Sequence, residues 1–312
     1  MLVNHQKVNP LYYIWFAISR LAKGVLGDRL HARLYNAWLW SRAYFHGRAR
    51  LRRFARGFQG NPKCHLAVCA IMKNEGSYLE EWIDFHRLVG VERFYLYLNN
   101  CTDNTMEVLK PYVEEGIVEV IIFNGERKQI PAYEDCVERH FNDTEWIGFI
   151  DLDEFIVPCG DFSVLEFLRS LPVGYNQVLA NWLVFGSGGA SKRERGSVVE
   201  RFIRRGRPGA PMSREKAFVR PRMVYRTDPH VHFVGGRTIR LPENQLRIHH
   251  YHCKSWEEYA QRSGRGDVRF GPEAGINKYC RVCFDAHDLN DIEDRTAIEF
   301  VSRTRKTVDN TK

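Results

Sequence analysis

Two aspartates one residue apart, Asp151 and Asp153, are the side chains whose type and spacing most directly suggest chemistry. They follow residues 146–150, a short apolar segment that is typical of a buried strand. Paired carboxylates in this position can hold a hard divalent cation such as Mn²⁺ or Mg²⁺, which keeps coordination positions open for phosphate oxygens. Such an ion acts as a Lewis acid toward a departing diphosphate. A D-x-D string is common by itself, so its meaning depends on the surrounding elements.

A group of histidines later in the chain offers nitrogen ligands for the same ion. His249, His250 and His252 are nearly contiguous, and His230 and His232 precede them. Imidazole is a common ligand of transition metals. We therefore predict that one of the five completes the D-x-D site and assign this role to His250. The others are expected to be packing or hydrogen-bonding residues.

Alternating strands and helices precede the two aspartates. Buried strands are predicted at residues 65–72, 93–98, 117–123 and 146–150. Helical segments lie between them, with Ser77 and Asp103 placed to cap two helices and Gly90 and Gly116 to end them. Four strands separated by helices predict βαβ units, and therefore an α/β fold with a mostly parallel, Rossmann-like sheet flanked by helices.

Polar residues follow each of the predicted strands. Asn74 and Glu75 come after the first strand, Asn99 after the second, Asn124 after the third and Asp151 after the fourth. In open α/β sheets ligands bind beyond the carboxyl ends of the strands. The sequence therefore predicts a nucleotide site along this edge of the sheet.

The distribution of charge indicates anionic partners. The formal net charge is +8, and residues 1–60 hold eleven Lys and Arg residues against the single acid Asp28. Residues 192–226 hold twelve against three glutamates. The apolar run at residues 11–19 is shorter than the roughly 20 residues that span a bilayer. We predict that residues 1–60 form a basic, aromatic-rich helical extension on an anionic membrane surface. The alternative is a helical extension packed on the main domain.

Several segments, taken in order, resemble glycosyltransferase family 92 and its bacterial relatives within the family-2-like group. They are KNEGSYLEEWIDFHRLVGVERFYLYLNN with CTDNT, QIPAYEDC, EWIGFIDLDEFIVP, NWLVFGSGG and HHYHCKSWEEY, and they cover roughly residues 65–265. The resemblance implies a GT-A fold, a nucleotide-sugar donor that is often UDP-linked, manganese or a similar ion, and inversion at the transferred sugar.

The resemblance also implies roles for individual residues. Asp151, Asp153 and His250 match the metal-binding positions. The residues expected to contact the donor are Asn74, Glu75, Asn99, Gln129, Asp151 and Lys254. Two positions depart from the family pattern, since Leu98 stands where many relatives carry Asp and His249 where they carry Asn. Both departures leave the identity of the sugar open.

The catalytic base is the least determined residue. Direct displacement at a sugar carbon requires a carboxylate beside the acceptor hydroxyl. Glu154 adjoins the metal motif, and Asp228 and Glu215 lie in the second half of the chain. Spacing does not choose among them, and we assign Asp228 and Glu154 as candidate catalytic residues.

These observations predict three parts of the chain. Residues 1–60 form the extension, residues 61–285 the GT-A domain, with a nucleotide-sugar half (61–158) and an acceptor half (159–285), and residues 286–312 a C-terminal helix and tail. We expect a cytoplasmic enzyme, peripheral on the inner face of a bacterial membrane. Its acceptor would be a glycan or a lipid-linked glycan of polysaccharide or lipopolysaccharide biosynthesis.

Two other classes of protein are compatible with parts of this pattern. A nucleotidyltransferase shares the α/β sheet and the paired carboxylates, but usually has a Gly-rich phosphate loop after its first strand. Here that loop contains a single glycine, Gly76. A non-catalytic nucleic-acid-binding protein would use the basic N-terminus, but in such a protein Asp151 and Asp153 would have no role. We therefore expect no nucleic-acid partner.

Overall fold

The structure is a computed structural model that describes residues 61–160, 162–210, 214–271 and 278–309. The predicted membrane-interface extension, residues 1–60, lies outside the described residues. Within the described ranges, no helix combines the length and the apolar character needed to cross a bilayer.

The strands of the described chain are β1 (Cys64–Met72), β2 (Arg93–Leu98), β3 (Val118–Ile122), β4 (Thr144–Phe149), β5 (Glu154–Pro158), β6 (Tyr175–Val184), β7 (Arg204–Arg205), β8 (Glu215–Val219), β9 (Val224–Arg226), β10 (Phe233–Val234), β11 (Arg237–Arg240), β12 (Leu246–His250) and β13 (Ile292–Glu293). The helices are α1 (Gly76–Val89), α2 (Thr105–Glu114), α3 (Gln129–His140), α4 (Val164–Ser170), α5 (Val198–Arg201), α6 (Trp256–Gln261), α7 (Arg281–His287) and α8 (Thr296–Asp309), with 3₁₀ turns at Pro221–Met223 and Arg262–Arg265.

The central sheet has the order β3-β2-β1-β4-β8-β6-β12-β5, and β11 also pairs with β6. Strands β3, β2, β1 and β4 are parallel to one another, as the βαβ pattern predicts. Beyond β4 the sheet becomes mixed, because β8 is antiparallel to both of its neighbours and β5 is antiparallel to β12. The predicted α/β class with a mostly parallel sheet is therefore confirmed.

Strand β1 is buried on both faces, which explains its continuous apolar sequence. Leu66 and Val68 belong to the core beneath α1, whereas Cys69 and Ile71 belong to the core beneath α3. Each fully buried aliphatic side chain of this kind contributes about 1.5–3 kcal/mol. The double burial fixes β1, and thereby the loop that follows it, at the centre of the sheet.

The starts of α1 and α2 share one capping residue. Asp103 accepts hydrogen bonds from the backbone N–H of Gly76 (3.0 Å) and from the backbone N–H of Thr105 (3.2 Å). The prediction that Ser77 caps α1 is wrong, because Ser77 lies inside the helix and the cap comes from the neighbouring loop. Helix α1 ends as predicted at Gly90, whose φ of 99° is the left-handed conformation that glycine adopts without strain.

The second half of the chain completes the sheet and covers one of its faces. Helix α4 begins with a capping box between Ser163 and Glu166. Strand β6 pairs antiparallel with β8 and parallel with β11 and β12. Helix α8 lies in the predicted C-terminal segment, and its Phe300 packs against Phe85 of α1, with ring centroids 5.7 Å apart.

Candidate active site

A cleft of about 420 Å³ opens beyond the carboxyl ends of β1 and β4. Asp151 and Asp153 line it, together with Gln129 at the start of α3. The facing wall comes from the chain that follows α6 and includes Arg262 and Arg265. The predicted edge of the sheet is therefore the edge at which the chain forms its cleft.

Asp153 is the centre of a polar cluster in this cleft. Its Oδ1 lies 3.6 Å from Nε2 of His250, and its Oδ2 lies 3.8 Å from Nδ1 of His252. The guanidinium of Arg262 donates a hydrogen bond of 2.7 Å to Oδ2. Burial opposes ionisation of Asp153, but the Arg262 guanidinium outweighs it and holds the pKa of this carboxyl well below its ordinary value. Asp153 is therefore ionised at neutral pH.

The ligand atoms near Asp153 fit a divalent transition-metal ion. One ligand atom each from Asp153, His250 and His252 lies within 4.8 Å of the others, and the same holds for Asp151, Asp153 and Glu154. Burial lowers the pKa of His250, so its ring is neutral and can offer a lone pair. Carboxylate oxygen with imidazole nitrogen suits Mn²⁺ better than an all-oxygen site would.

His252 is a member of the cluster that the sequence prediction did not single out. It is two residues from His250, and alternate residues of an extended chain point to the same side. This i, i+2 spacing in HHYH is the signal that could have identified His252 once the segment was read as a strand end.

A buried lysine lies behind Asp151. Lys216 of β8 has no exposed surface, and its Nζ lies 2.8 Å from Oδ2 of Asp151 and 3.2 Å from Oε2 of Glu154. Burial alone would lower the pKa of Lys216, but the two carboxylates outweigh it and raise this pKa. Lys216 therefore places a permanent positive charge beside Asp151. The sequence did not reveal this role, because Lys216 is one of twelve basic residues in the stretch 192–226.

Glu154 supports the aspartates and does not line the cleft. Its side chain is fully buried, and Oε2 accepts a hydrogen bond of 2.8 Å from the backbone N–H of Asp151. The structure thus places the Glu154 carboxyl under the Asp151–Asp153 turn, where it fixes the turn and contacts Lys216. This position does not suit the catalytic role predicted for Glu154, because a reacting group must contact substrate.

The two other candidate bases also lie away from the cleft. Asp228 accepts hydrogen bonds from the backbone N–H groups of His230 (3.0 Å) and Val231 (3.3 Å), which is an Asx turn. Glu215 pairs with Arg240 at 2.6 Å. Neither carboxylate lines the cleft, so the catalytic role predicted for Asp228 has no support in its position. Its turn brings His230 to the cleft instead.

Glu75 and Gln129 are the two predicted donor-binding residues, besides Asp151, that line the cleft. Glu75 pairs with Arg265 at 2.5 Å. Gln129 donates a hydrogen bond of 3.1 Å from Nε2 to Oδ1 of Asp151, and its own Oε1 is buried without a partner among the described residues. The unpartnered Oε1 is a candidate acceptor for a ligand group.

Asn74, Asn99 and Lys254 are near the cleft but do not line it. Oδ1 of Asn74 accepts from the backbone N–H of Thr102 at 2.7 Å, and Asn99 donates to the carbonyl oxygen of Phe123 at 2.8 Å. These asparagines join neighbouring loops at the sheet edge. Nζ of Lys254 lies 4.4 Å from the centre of the Tyr78 ring, and burial lowers the pKa of this lysine to about 8.

Comparison with known proteins identifies the class. The sheet, the helices on its faces and the acidic cluster at the strand ends define an α/β protein with a candidate metal-binding cleft. The family model for glycosyltransferase family 92 matches residues 65–281, which is more than half of the chain. The chain belongs to glycosyltransferase family 92, as the resemblance of its segments predicts.

Curated relatives share the matching segment. A family 92 protein of Oryza sativa subsp. japonica is 29% identical over 213 residues, which are 65% of this chain and 36% of the relative. The galactan beta-1,4-galactosyltransferase GALS2 of Arabidopsis thaliana is 28% identical over 191 residues, which are 56% of this chain and 37% of the relative. The chain thus spans little more than a third of the length of these relatives.

A solved structure has a weaker likeness. The mannosyltransferase PcManGT from Pyrobaculum calidifontis, in complex with GDP-Man and Mn²⁺, is 13% identical with a TM-score of 0.38. The match covers 86% of each chain. A likeness at this level does not bear on the function of this chain.

Proposed function

We propose that the chain is a metal-dependent glycosyltransferase that moves a sugar from a nucleotide-sugar donor, preferably a UDP-sugar, to a glycan or lipid-linked acceptor with inversion. Membership of family 92 supports the reaction class. The observation that carries the metal dependence is the cluster of Asp153, His250 and His252 in the cleft, with Asp151 beside it.

In this proposal Asp151, Asp153 and His250 hold Mn²⁺ or Mg²⁺, and His252 is available as a further ligand. The ion, when bound, supplies Lewis-acid neutralisation of the departing diphosphate. Nζ of Lys216 lies 2.8 Å from Oδ2 of Asp151, and Arg262 keeps Asp153 ionised. The protein therefore maintains Asp153 in the charged form that a hard cation requires.

The nucleotide side of the cleft is assigned to the loop after β1 and the start of α3. Glu75 and Gln129 line this part, and Arg265 fixes Glu75 while also donating to the carbonyl oxygen of Lys73 at 3.0 Å. Oε1 of Gln129 has no partner within the described part of the chain. It is placed to accept a hydrogen bond from a donor group.

Position in the cell and acceptor class are proposed from composition. The eleven basic residues of residues 1–60, with one acid among them, suit a peripheral association with an anionic inner-membrane face. A membrane-bound glycan acceptor of polysaccharide or lipopolysaccharide biosynthesis would be presented there. Flotation of the full chain with anionic and neutral vesicles tests this part: recovery with anionic vesicles alone supports it, and recovery with neither contradicts it.

A donor screen tests the reaction. The full chain is incubated with UDP-galactose, UDP-glucose and GDP-mannose, with Mn²⁺ or with a chelator, and with membrane extract as acceptor. We expect release of a nucleoside diphosphate from one donor and only with metal. Release of pyrophosphate from a nucleoside triphosphate and a sugar phosphate would instead show a nucleotidyltransferase. UDP-galactose is the first donor to test, because the name of one relative specifies galactosyl transfer.

A further inference from the structure

The carboxylates that line the cleft are all engaged by cations. Among the described residues these acids are Glu75, Asp151, Asp153 and Asp267. Their partners are respectively Arg265 at 2.5 Å, Lys216 at 2.8 Å, Arg262 at 2.7 Å and Lys278 at 2.8 Å. Each of these carboxylates therefore already has a charged partner in the cleft. The group that accepts the proton of an attacking hydroxyl is sought among cleft side chains with an unpartnered acceptor atom.

His230 lines the cleft in a fixed orientation. The Asx turn of Asp228 holds its backbone, and its Nδ1 lies 3.3 Å from the carbonyl oxygen of Glu215. A carbonyl oxygen can only accept, so Nδ1 carries the hydrogen and Nε2 carries the lone pair of the neutral ring. Nε2 has no partner among the described residues. Burial, reinforced by Lys216, lowers the pKa of His230 to about 4, so this lone pair is present at neutral pH.

The wall around His230 can bind sugar hydroxyls. The Trp182 ring lies 5.1 Å from that of His230 and 4.3 Å from that of His250, so one indole separates His230 from the proposed metal ligand. Nε1 of Trp182 is a donor that is buried without a partner in the described part of the chain, and the residue lines the cleft. A donor from Trp182 and an acceptor from His230 thus lie in the cleft wall that also contains His250.

We propose that His230 is the catalytic base, whose Nε2 accepts the hydrogen bond of the acceptor hydroxyl and then its proton. This inference rests on the proposed function. The hydroxyl oxygen forms a bond to the anomeric carbon, while the bond from that carbon to the diphosphate oxygen breaks and its electron pair leaves with the nucleoside diphosphate. The hydroxyl proton moves to Nε2 and afterwards to water. The attacking oxygen becomes strongly acidic as its new bond forms, so an imidazole of low basicity suffices.

His287 is the matched control. It also lines the cleft, and its Nδ1 also lies on a carbonyl oxygen, that of Cys283 at 2.6 Å. Its ring packs on His252, 4.7 Å away, and not on Trp182. Both histidines therefore line the cleft with Nδ1 facing a carbonyl oxygen, but His230 packs on Trp182 and His287 packs on His252.

The test compares His230→Gln, His230→Asn and His287→Gln in the full chain, with the UDP-sugar that the wild type turns over. Gln can accept a hydrogen bond at the position of Nε2 but cannot take a proton. We expect kcat to fall by about 10²–10⁴ in both His230 variants, with the donor KM changed by less than about threefold, and His287→Gln to stay within about tenfold of wild type. Imidazole added to His230→Ala should restore part of the lost rate.

Several outcomes decide the inference. His230→Gln at more than about a tenth of the wild-type kcat would overturn it, because general acid–base catalysis contributes at least about a hundredfold. An equal loss in His287→Gln would also contradict it. Mn²⁺-dependent UDP binding shows that each variant is folded. If His230→Gln does not fold, the kinetics of His230→Asn decide the question. A wild type that transfers no sugar from any donor refutes the proposed function itself, whereas an active wild type with unaffected His230 variants refutes only this inference.

Discussion

Nε2 of His250 lies 3.6 Å from Oδ1 of Asp153, although the two residues belong to different halves of the chain. Strand β12 pairs antiparallel with β5 in a register that sets His250 opposite Glu154. The backbone N–H of Tyr251 extends this pairing with a hydrogen bond of 2.8 Å to the carbonyl oxygen of Asp153. A shift of one residue would direct His250 to the other face of the sheet. Strand register, and not a flexible loop, thus assembles the proposed metal ligands.

Asp151 and Glu154 should respond differently to loss of charge. Asp151→Asn removes a ligand of the proposed metal, and we expect activity to fall by at least about a hundredfold. Glu154→Gln retains an oxygen that accepts from the backbone N–H of Asp151, so activity should stay within about tenfold of wild type. Steady-state kinetics with saturating Mn²⁺ checks both. A Glu154→Gln variant that is stable but as inactive as Asp151→Asn would restore a direct catalytic role to Glu154.

Replacing Lys216 should destabilise the fold. Lys216→Met leaves Asp151 and Glu154 without the cation that lies within 3.2 Å of both, and loss of one partner from a buried ion pair costs about 3–5 kcal/mol. The double variant Lys216→Met, Glu154→Gln also removes the acidic group of Glu154, whose pKa burial raises, and should recover part of this loss. Urea unfolding measures the free energy of unfolding of the wild type, of Lys216→Met and of the double variant. A double variant no more stable than Lys216→Met would show that the lost packing, and not charge, determines the effect.

The acid dependence of stability should report on Glu258. Burial raises its pKa, but Arg201 at 2.8 Å and the Ser255 hydroxyl outweigh this and lower it to about 2, below its ordinary value of 4.5. The resulting stabilisation is fully present above pH 4.5 and is lost as the pH falls toward 2. After allowance for solvent screening, Glu258→Gln should cost about 1–2 kcal/mol at pH 7 and less than half of that at pH 3.

Urea unfolding at both pH values checks this difference. The control is Glu114→Gln, because Glu114 and its partner Lys110 are both largely exposed and 3.9 Å apart. Exposed pairs of this kind contribute about 0–1 kcal/mol. A Glu258→Gln penalty of the same size at pH 3 and pH 7 would mean that the carboxylate charge is not what stabilises this position.

Gly76 should not tolerate a side chain. A Cβ at this position would lie 2.4 Å from Oδ1 of Asn104 and 3.0 Å from the backbone nitrogen of Thr105. Because the start of α2 is fixed by Asp103, relief requires backbone movement, and Gly76→Ala should cost about 1–3 kcal/mol. Gly264→Ala is the control, since nothing lies within 4 Å of its Cβ position. Equal melting temperatures for the two variants would contradict the close approach of the α1 and α2 starts.

The sequence predicts the first half of the fold well because its signals are local. Strand β2 has the predicted bounds, and β1 and β4 lie within two residues of theirs. Apolar runs bounded by glycines and polar turns determine these elements without reference to the rest of the chain. The cap of α1 has no such local signal, because the capping residue Asp103 lies in another loop. Such a contact depends on the packed fold and has no local signal.

The candidate site shows the same division. Asp151, Asp153 and His250 are predictable, because a D-x-D string after a strand and a dense histidine segment are visible in the sequence. Lys216 and Arg262 are not, since their roles arise from antiparallel pairing of β8 and from the loop after α6. Long-range pairing also decides which carboxylates contact the cleft, and spacing along the chain contains no information on that.

Metal-dependent binding of UDP tests the central claim most directly. Isothermal titration of the full-length wild type with UDP is measured with Mn²⁺ and with a chelator, and repeated for Asp153→Asn. Because Asp153 is the acid shared by both groups of potential ligands, we expect wild-type binding with Mn²⁺, and at least about tenfold weaker binding with the chelator or in the variant. UDP binding of equal affinity in all three measurements would contradict a metal site at Asp153.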